Sequence, residues 1–154
     1  MHISFAVFAD AANLSQEGKL NVLGVFDAVQ VAGLPTIHPR THFVVRLKAT
    51  GDDVGQHSLA FRWLSPLDEE LWSSTGEMNV APPPNPMFEV DLPIIAVVDL
   101  PLNMVGQYTM QVALDGKQSA AARLFVNAPA QPPMVGGAPN GMVSYNSCGR
   151  WTVD

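Results

Sequence analysis

The side chains able to do chemistry in this chain are few and scattered. Cys148 is the only cysteine, and no histidine is near it in sequence to act as the base that a nucleophilic thiol needs. There is no Gly-x-Ser-x-Gly elbow, no glycine-rich phosphate loop ending in Lys-Ser/Thr, and no strand–glycine-loop–helix unit for a dinucleotide. The histidines are His2, His38, His42 and His57. His38 and His42 have the i, i+4 spacing of two metal ligands on a helix, but Pro39 excludes a helix there, and a zinc site needs a third and fourth ligand. Asp52-Asp53 and Asp68-Glu69-Glu70 sit in turn-like sequence and read as solvated loop tips. Asp10, Asn13 and Glu17 could offer oxygens to calcium, but the twelve-residue calcium loop is absent. The expectation is no catalytic residue, no metal and no cofactor.

Aromatic residues leave one candidate. Trp63 shares a strand face with Leu59 and Phe61, which assigns it to a core. Trp72 lies on a weaker strand with Ser, Thr and Gly and could be exposed, so it is the residue singled out for ligand or interface contact.

These residues sit on strands. Residues 42–49 put Phe43, Val45, Leu47 and Ala49 on one face and His42, Val44, Arg46 and Lys48 on the other, the period of two that a half-buried strand imposes. Residues 57–64 repeat it, and the intervening Gly51-Asp52-Asp53-Val54-Gly55 suggests a hairpin with a longer loop. Residues 106–114 and 117–126 flank Asp115-Gly116, a pair suited to the positive φ values of a type I′ turn. Leu20 to Val31 changes phase near Gly24, as at a bulge or a close backbone approach. Leu71 to Val80 reads as a weak edge strand. The stretch from 86 to 99 is split by Pro93 into 86–92 and 94–99, or bulged there. Phe8 closes the first strand, Asp10 and Asn13 stabilise a turn, and residues 10–17 form at most a short helical turn ended by Gly18.

A chain of 154 residues with 47% hydrophobic content suits one domain with its own core. Residues 1–127 read as that body. Residues 128–154 read as a Pro/Gly-rich, partly irregular segment in which 142–145 and 150–153 could still dock, and Ala81 to Pro86 reads as a stiff extended connector. About eight strands with Pro/Gly-marked turns predict an all-β, antiparallel two-sheet sandwich of immunoglobulin-like architecture, with a small barrel as the alternative.

The net charge of −6, with eight Lys and Arg spread thinly, argues against binding nucleic acid or an anionic membrane surface, which needs clustered cations. Met1 to Asp10 has no basic n-region and reads as a strand, not an export signal. No window reaches a membrane span, and the expected compartment is the cytoplasm.

The segment from Phe8 to Asp27, with Asp10-Ala11-Ala12-Asn13-Leu14-Ser15-Gln16-Glu17-Gly18, resembles the opening of a family of small bacterial proteins of unknown function. The resemblance continues in Gly106-Gln107-Tyr108 and Val112-Ala113-Leu114-Asp115-Gly116 and stops before the tail. It implies a sandwich fold and a bacterial cytoplasmic origin, and it assigns no catalytic or ligand residue.

The reading is therefore a non-enzymatic interaction or structural module, partnering itself or another protein. Apolar residues on both strand faces, such as Ile95, Val97 and Phe125, motivate it. Antiparallel pairing between subunits through the 71–80 strand is the specific expectation. A sandwich binding carbohydrate or peptide through loops around Trp72 and Pro82 to Pro86 is the second reading, and an enzyme of unknown type is the third.

Overall fold

The computed structural model describes residues 1–130. Nine strands run through them: β1 (His2–Leu14), β2 (Leu20–Phe26), β3 (Ala28–Gln30), β4 (Thr36–Ala49), β5 (Gly55–Leu64), β6 (Glu70–Val80), β7 (Val90–Leu102), β8 (Gly106–Leu114) and β9 (Lys117–Asn127). They form two sheets with strand orders β2-β1-β4-β7 and β3-β9-β8-β5-β6. Among the described residues each sheet has two free edges, and neither closes into the barrel held as the alternative. All pairings are antiparallel except β3 with β9, which is parallel.

Alternation decides which side chains enter the core. Phe8, Phe43, Val45 and Leu47 of the first sheet meet Trp63, Tyr108, Met110, Val112 and Leu124 of the second, all buried. Phe8 meets Trp63 edge-on with ring centroids 5.9 Å apart, and Trp63 stacks on Tyr108 at 5.2 Å. The Trp63 indole N–H donates to the Pro101 carbonyl of the opposite sheet at 3.0 Å, which satisfies its one polar group. The buried Tyr108 hydroxyl accepts from the Asn103 and Met104 backbone N–H groups at 2.8 and 3.0 Å. It also faces Asn103 Oδ1 at 2.7 Å and the Met104 carbonyl at 2.9 Å, so one side chain fixes the turn leading into β8.

The β8–β9 hairpin is as expected. Asp115 and Gly116 have φ of 48° and 79°, and the ladder runs from Leu114 opposite Lys117 to Gly106 opposite Val126. At Gly24 the close approach expected from the phase change is real: φ is 66°, and the Asp10 side chain fills the space a Cβ would take.

Four local expectations are corrected. β4 and β5 are not a hairpin, because the short 3₁₀ turn Gly51–Asp53 carries the chain from one sheet to the other. Residues 10–14 are neither helix nor turn. β1 continues past Phe8 to Leu14 because β2 offers it a ladder, with Ala12 opposite Val22 and Leu14 opposite Leu20, and the turn falls on Ser15–Gly18 instead. Residues 86–89 are not strand: Asn85 closes a turn by accepting from Met87 and Phe88 N–H groups, leaving Phe88 exposed. Pro93 does not split β7, which runs unbroken opposite Arg46. An edge strand tolerates a residue without an N–H because only one side of it is paired.

Candidate functional site

The fold disperses the residues that carry chemistry. A bulge between His38 and Thr41 shifts the phase of β4, so His38 packs on the core side beside the Phe26 ring, centroids 5.7 Å apart. His42 lies on the opposite face between Ala9 and Val97. Asp10 lies against Gly24, Asn13 accepts from the Asn21 amide at 3.0 Å, and Glu17 pairs with Lys19 at 2.6 Å, so these three do not converge. Among the described residues no three His, Cys, Asp or Glu side chains could together hold a metal ion. Cys148, Trp151 and the segments 142–145 and 150–153 lie outside the described residues, as does most of 128–141.

Asp52, Asp68 and Glu69 are exposed as expected of loop tips, whereas one residue of each acidic stretch is engaged. Glu70 accepts from Arg62 at 2.8 Å, and that bond lowers its pKa. Asp53 accepts from the Met1 amine at 2.6 Å and the Thr50 backbone N–H at 2.8 Å. These contacts, the amine first, hold its carboxyl at about 2.

The best-organised polar cluster is one that sequence alone did not reveal. His57 Nδ1 lies 2.7 Å from Asp115 Oδ2, and His57 Nε2 lies 2.7 Å from the Asp53 carbonyl. Two acceptors on two ring nitrogens favour the doubly protonated imidazolium. The Asp115 carboxylate, then the Asp53 carbonyl, raise the His57 pKa, and His57 in turn lowers that of Asp115. The cluster clamps the inter-sheet turn, β5 and the β8–β9 turn together.

Trp72 is half-buried on the inner face of β6, directly opposite Trp63, and packs against the core. Among the described residues its buried indole N–H has no partner. An open groove of about 650 Å3 beside Leu71 is lined by Pro35, Ile37 and Pro101, and one of about 710 Å3 lies between β1, β2 and β9. Trp72 lines neither. The Pro82–Pro86 connector follows Val80 at the far end of β6, about 25 Å from Trp72 at the strand rise of ~3.3 Å per residue. The structure does not bring these two parts of the expected ligand site together.

The sheet edges differ more usefully. β7 carries Pro93 and Pro101, β2 holds Gly24 in the left-handed region, and β3 has three residues. Proline, twist and shortness all blunt an edge against pairing. β6 has eleven residues, no proline and no residue with positive φ. Its exposed groups follow from the ladder. Ser58 bonds Asp115 through both its N–H and its carbonyl, so the Ser58–Glu77 pair is not hydrogen-bonded between β5 and β6. By alternation, Ser73, Thr75 and Glu77 turn their N–H and C=O groups away from the sheet. Among the described residues the edge expected from sequence at 71–80 is thus a free edge.

Among the described residues no helix is long and apolar enough to cross a membrane. No curated protein matches the chain. Residues 4–127 match the model of a family described as Family of unknown function (DUF6941), and the chain belongs to that family.

Proposed function

From that membership and this geometry we propose a non-enzymatic interaction module that assembles with itself through the outer edge of β6. The observation that carries the reading is the row of free backbone groups at Ser73, Thr75 and Glu77, on an edge without proline or left-handed residues whose one register irregularity lies at its start, beside Glu70. Antiparallel pairing about Thr75 sets Ser73 opposite Glu77 of a second copy, with two threonines in the middle. No like charges then face each other, and threonine pairs are favourable cross-strand neighbours.

The body, residues 1–127, is read as an immunoglobulin-like sandwich. The parallel β3–β9 pair, the β9-β8-β5-β6 order and a buried tyrosine near the start of β8 that bonds the backbone just upstream support that reading.

Light scattering on the full chain tests the function. The mass expected is above that of one chain, and Thr75→Pro, which deletes one outward N–H and no β5–β6 bond, is expected to halve it. A monomeric wild-type chain contradicts the reading.

A further inference from the structure

The two sheets differ in their outer faces. The second sheet shows water a largely polar surface, with Gln107, Thr109 and Gln111 of β8 and Ser73, Thr75 and Glu77 of β6, and Phe125 of β9 as its exposed large apolar residue. That is the ordinary state of a sheet with one solvated side. The first sheet does the reverse. Register places Leu23 and Val25 of β2, Val7 of β1, Val44 of β4, and Ile95 and Val97 of β7 on its outer face, with Val44 and Ala9 at its centre already buried by their neighbours. Leu23, Val25 and Val97 are 67%, 61% and 55% exposed. Charges stay at the ends of this face, with Arg46 paired to Asp91 at 2.7 Å at one and Asp99 accepting from the Arg40 backbone N–H at 2.8 Å at the other, and among the described residues the His42 Nδ1 between Ala9 and Val97 is buried with no partner. An apolar centre with a charged rim is the pattern of an interface.

The same face continues onto an arm. β4 leaves β1 after Ala9, so residues 10–14 and 20–24 form a ribbon with no third strand, and none of residues 10–25 packs against the central core cluster. Apolar residues stand on both of its faces, Ala11 and Leu23 on one, beside the Asn13–Asn21 pair, and Ala12, Leu14, Leu20 and Val22 on the other, beside Asp10. An isolated two-stranded ribbon is marginal in water, and this one has no apolar partner of its own among the described residues.

We propose that the outer face of β2-β1-β4-β7, with its arm, packs against the same face of a second copy about a twofold axis. Four strands and the rows from Phe5 to Ala11 span about 20 by 23 Å. Two copies together therefore remove on the order of 1,000 Å2 from water, the size at which an interface becomes specific. The geometry also agrees with edge pairing. Antiparallel pairing through β6 has its twofold perpendicular to the sheet, so both outer faces of such a pair point the same way. A second pair then covers both at once, and the closed assembly is four chains.

Light scattering of the full chain at one concentration tests this. The wild type is expected at four chains. Leu23→Lys/Val97→Lys, at two exposed positions, is expected at two, Thr75→Pro at two, and the triple variant at one. Thr109→Lys, on the polar face of the other sheet, is expected to leave four. A mass unchanged by Leu23→Lys/Val97→Lys overturns the proposal. So does a monomeric Val97→Cys chain that forms an intrachain disulfide with Cys148, which would assign the face to residues 131–154. Failure of the β6 reading alone looks different: a two-chain wild type that Thr75→Pro leaves intact and Leu23→Lys/Val97→Lys makes monomeric.

Discussion

Trp63 and Trp72 stand directly opposite each other across the β5–β6 ladder, yet of the two Trp63 alone has a partner for its indole N–H among the described residues, the Pro101 carbonyl. The same residue type on the same face therefore contributes in different ways. Trp63 joins the two sheets, whereas Trp72 adds apolar area and carries an unsatisfied donor.

Trp63→Phe is expected to cost about 2–4 kcal/mol, since it loses volume in a packed core and leaves the Pro101 carbonyl without its donor. Trp72→Phe removes the orphaned N–H along with some area, and its net effect is expected within about 1 kcal/mol of zero. Urea unfolding of both variants gives the comparison. Equal losses would show that the Pro101 bond does not distinguish them.

Tyr108→Phe keeps the ring stacked on Trp63 and deletes the hydroxyl. The Asn103 and Met104 N–H groups that it accepts are then left unpaired beside the core. A loss of about 2–3 kcal/mol is expected, read as a fall in the denaturant midpoint at unchanged slope.

His57 gives the chain a pH-dependent element with a definite sign. Its folded pKa is raised above the ordinary 6.5, first by Asp115. The stabilisation is therefore fully present below about 6.5 and lost as pH rises through the folded value. Asp115 and Asp53 act oppositely: their folded values are lowered, so their contribution holds above the ordinary carboxylate range and fades as pH falls toward the folded values. The difference in melting temperature between wild type and His57→Gln is expected to shrink from pH 6 to pH 9. A difference that grows across that interval would contradict the assignment.

What could be read from sequence was local. Residues 107–126 announce a hairpin because the alternation and the Asp115-Gly116 turn lie within one short stretch, and each agrees with the other. The partition of β4 and β5 between sheets was not legible, because a turn such as Gly51–Asp53 serves a hairpin or a crossover equally well. Here inter-sheet packing and the His57–Asp115 clamp, whose members are 58 residues apart in sequence, decide it. Residues 10–14 carry helix-tolerant alanines, and the β2 ladder overrides that preference. The Tyr108 bonds were within reach, since a tyrosine four or five residues after Asn103-Met104 at the start of a strand is a local signal. Trp72 was correctly placed on a weak edge strand, but its inward orientation depends on the cross-strand register with Trp63, which no local pattern contains.

The central claim is that the free edge of β6 is covered by another chain, and amide hydrogen exchange measures this most directly. The Ser73, Thr75 and Glu77 amides point out of the sheet, so in a single chain they exchange at the rate of solvated amides. Pairing predicts that their exchange slows as protein concentration rises, while the Ser74 and Gly76 amides, already bonded to β5, stay protected throughout. Fast exchange at Ser73, Thr75 and Glu77, unchanged from the most dilute to the most concentrated sample, would contradict it.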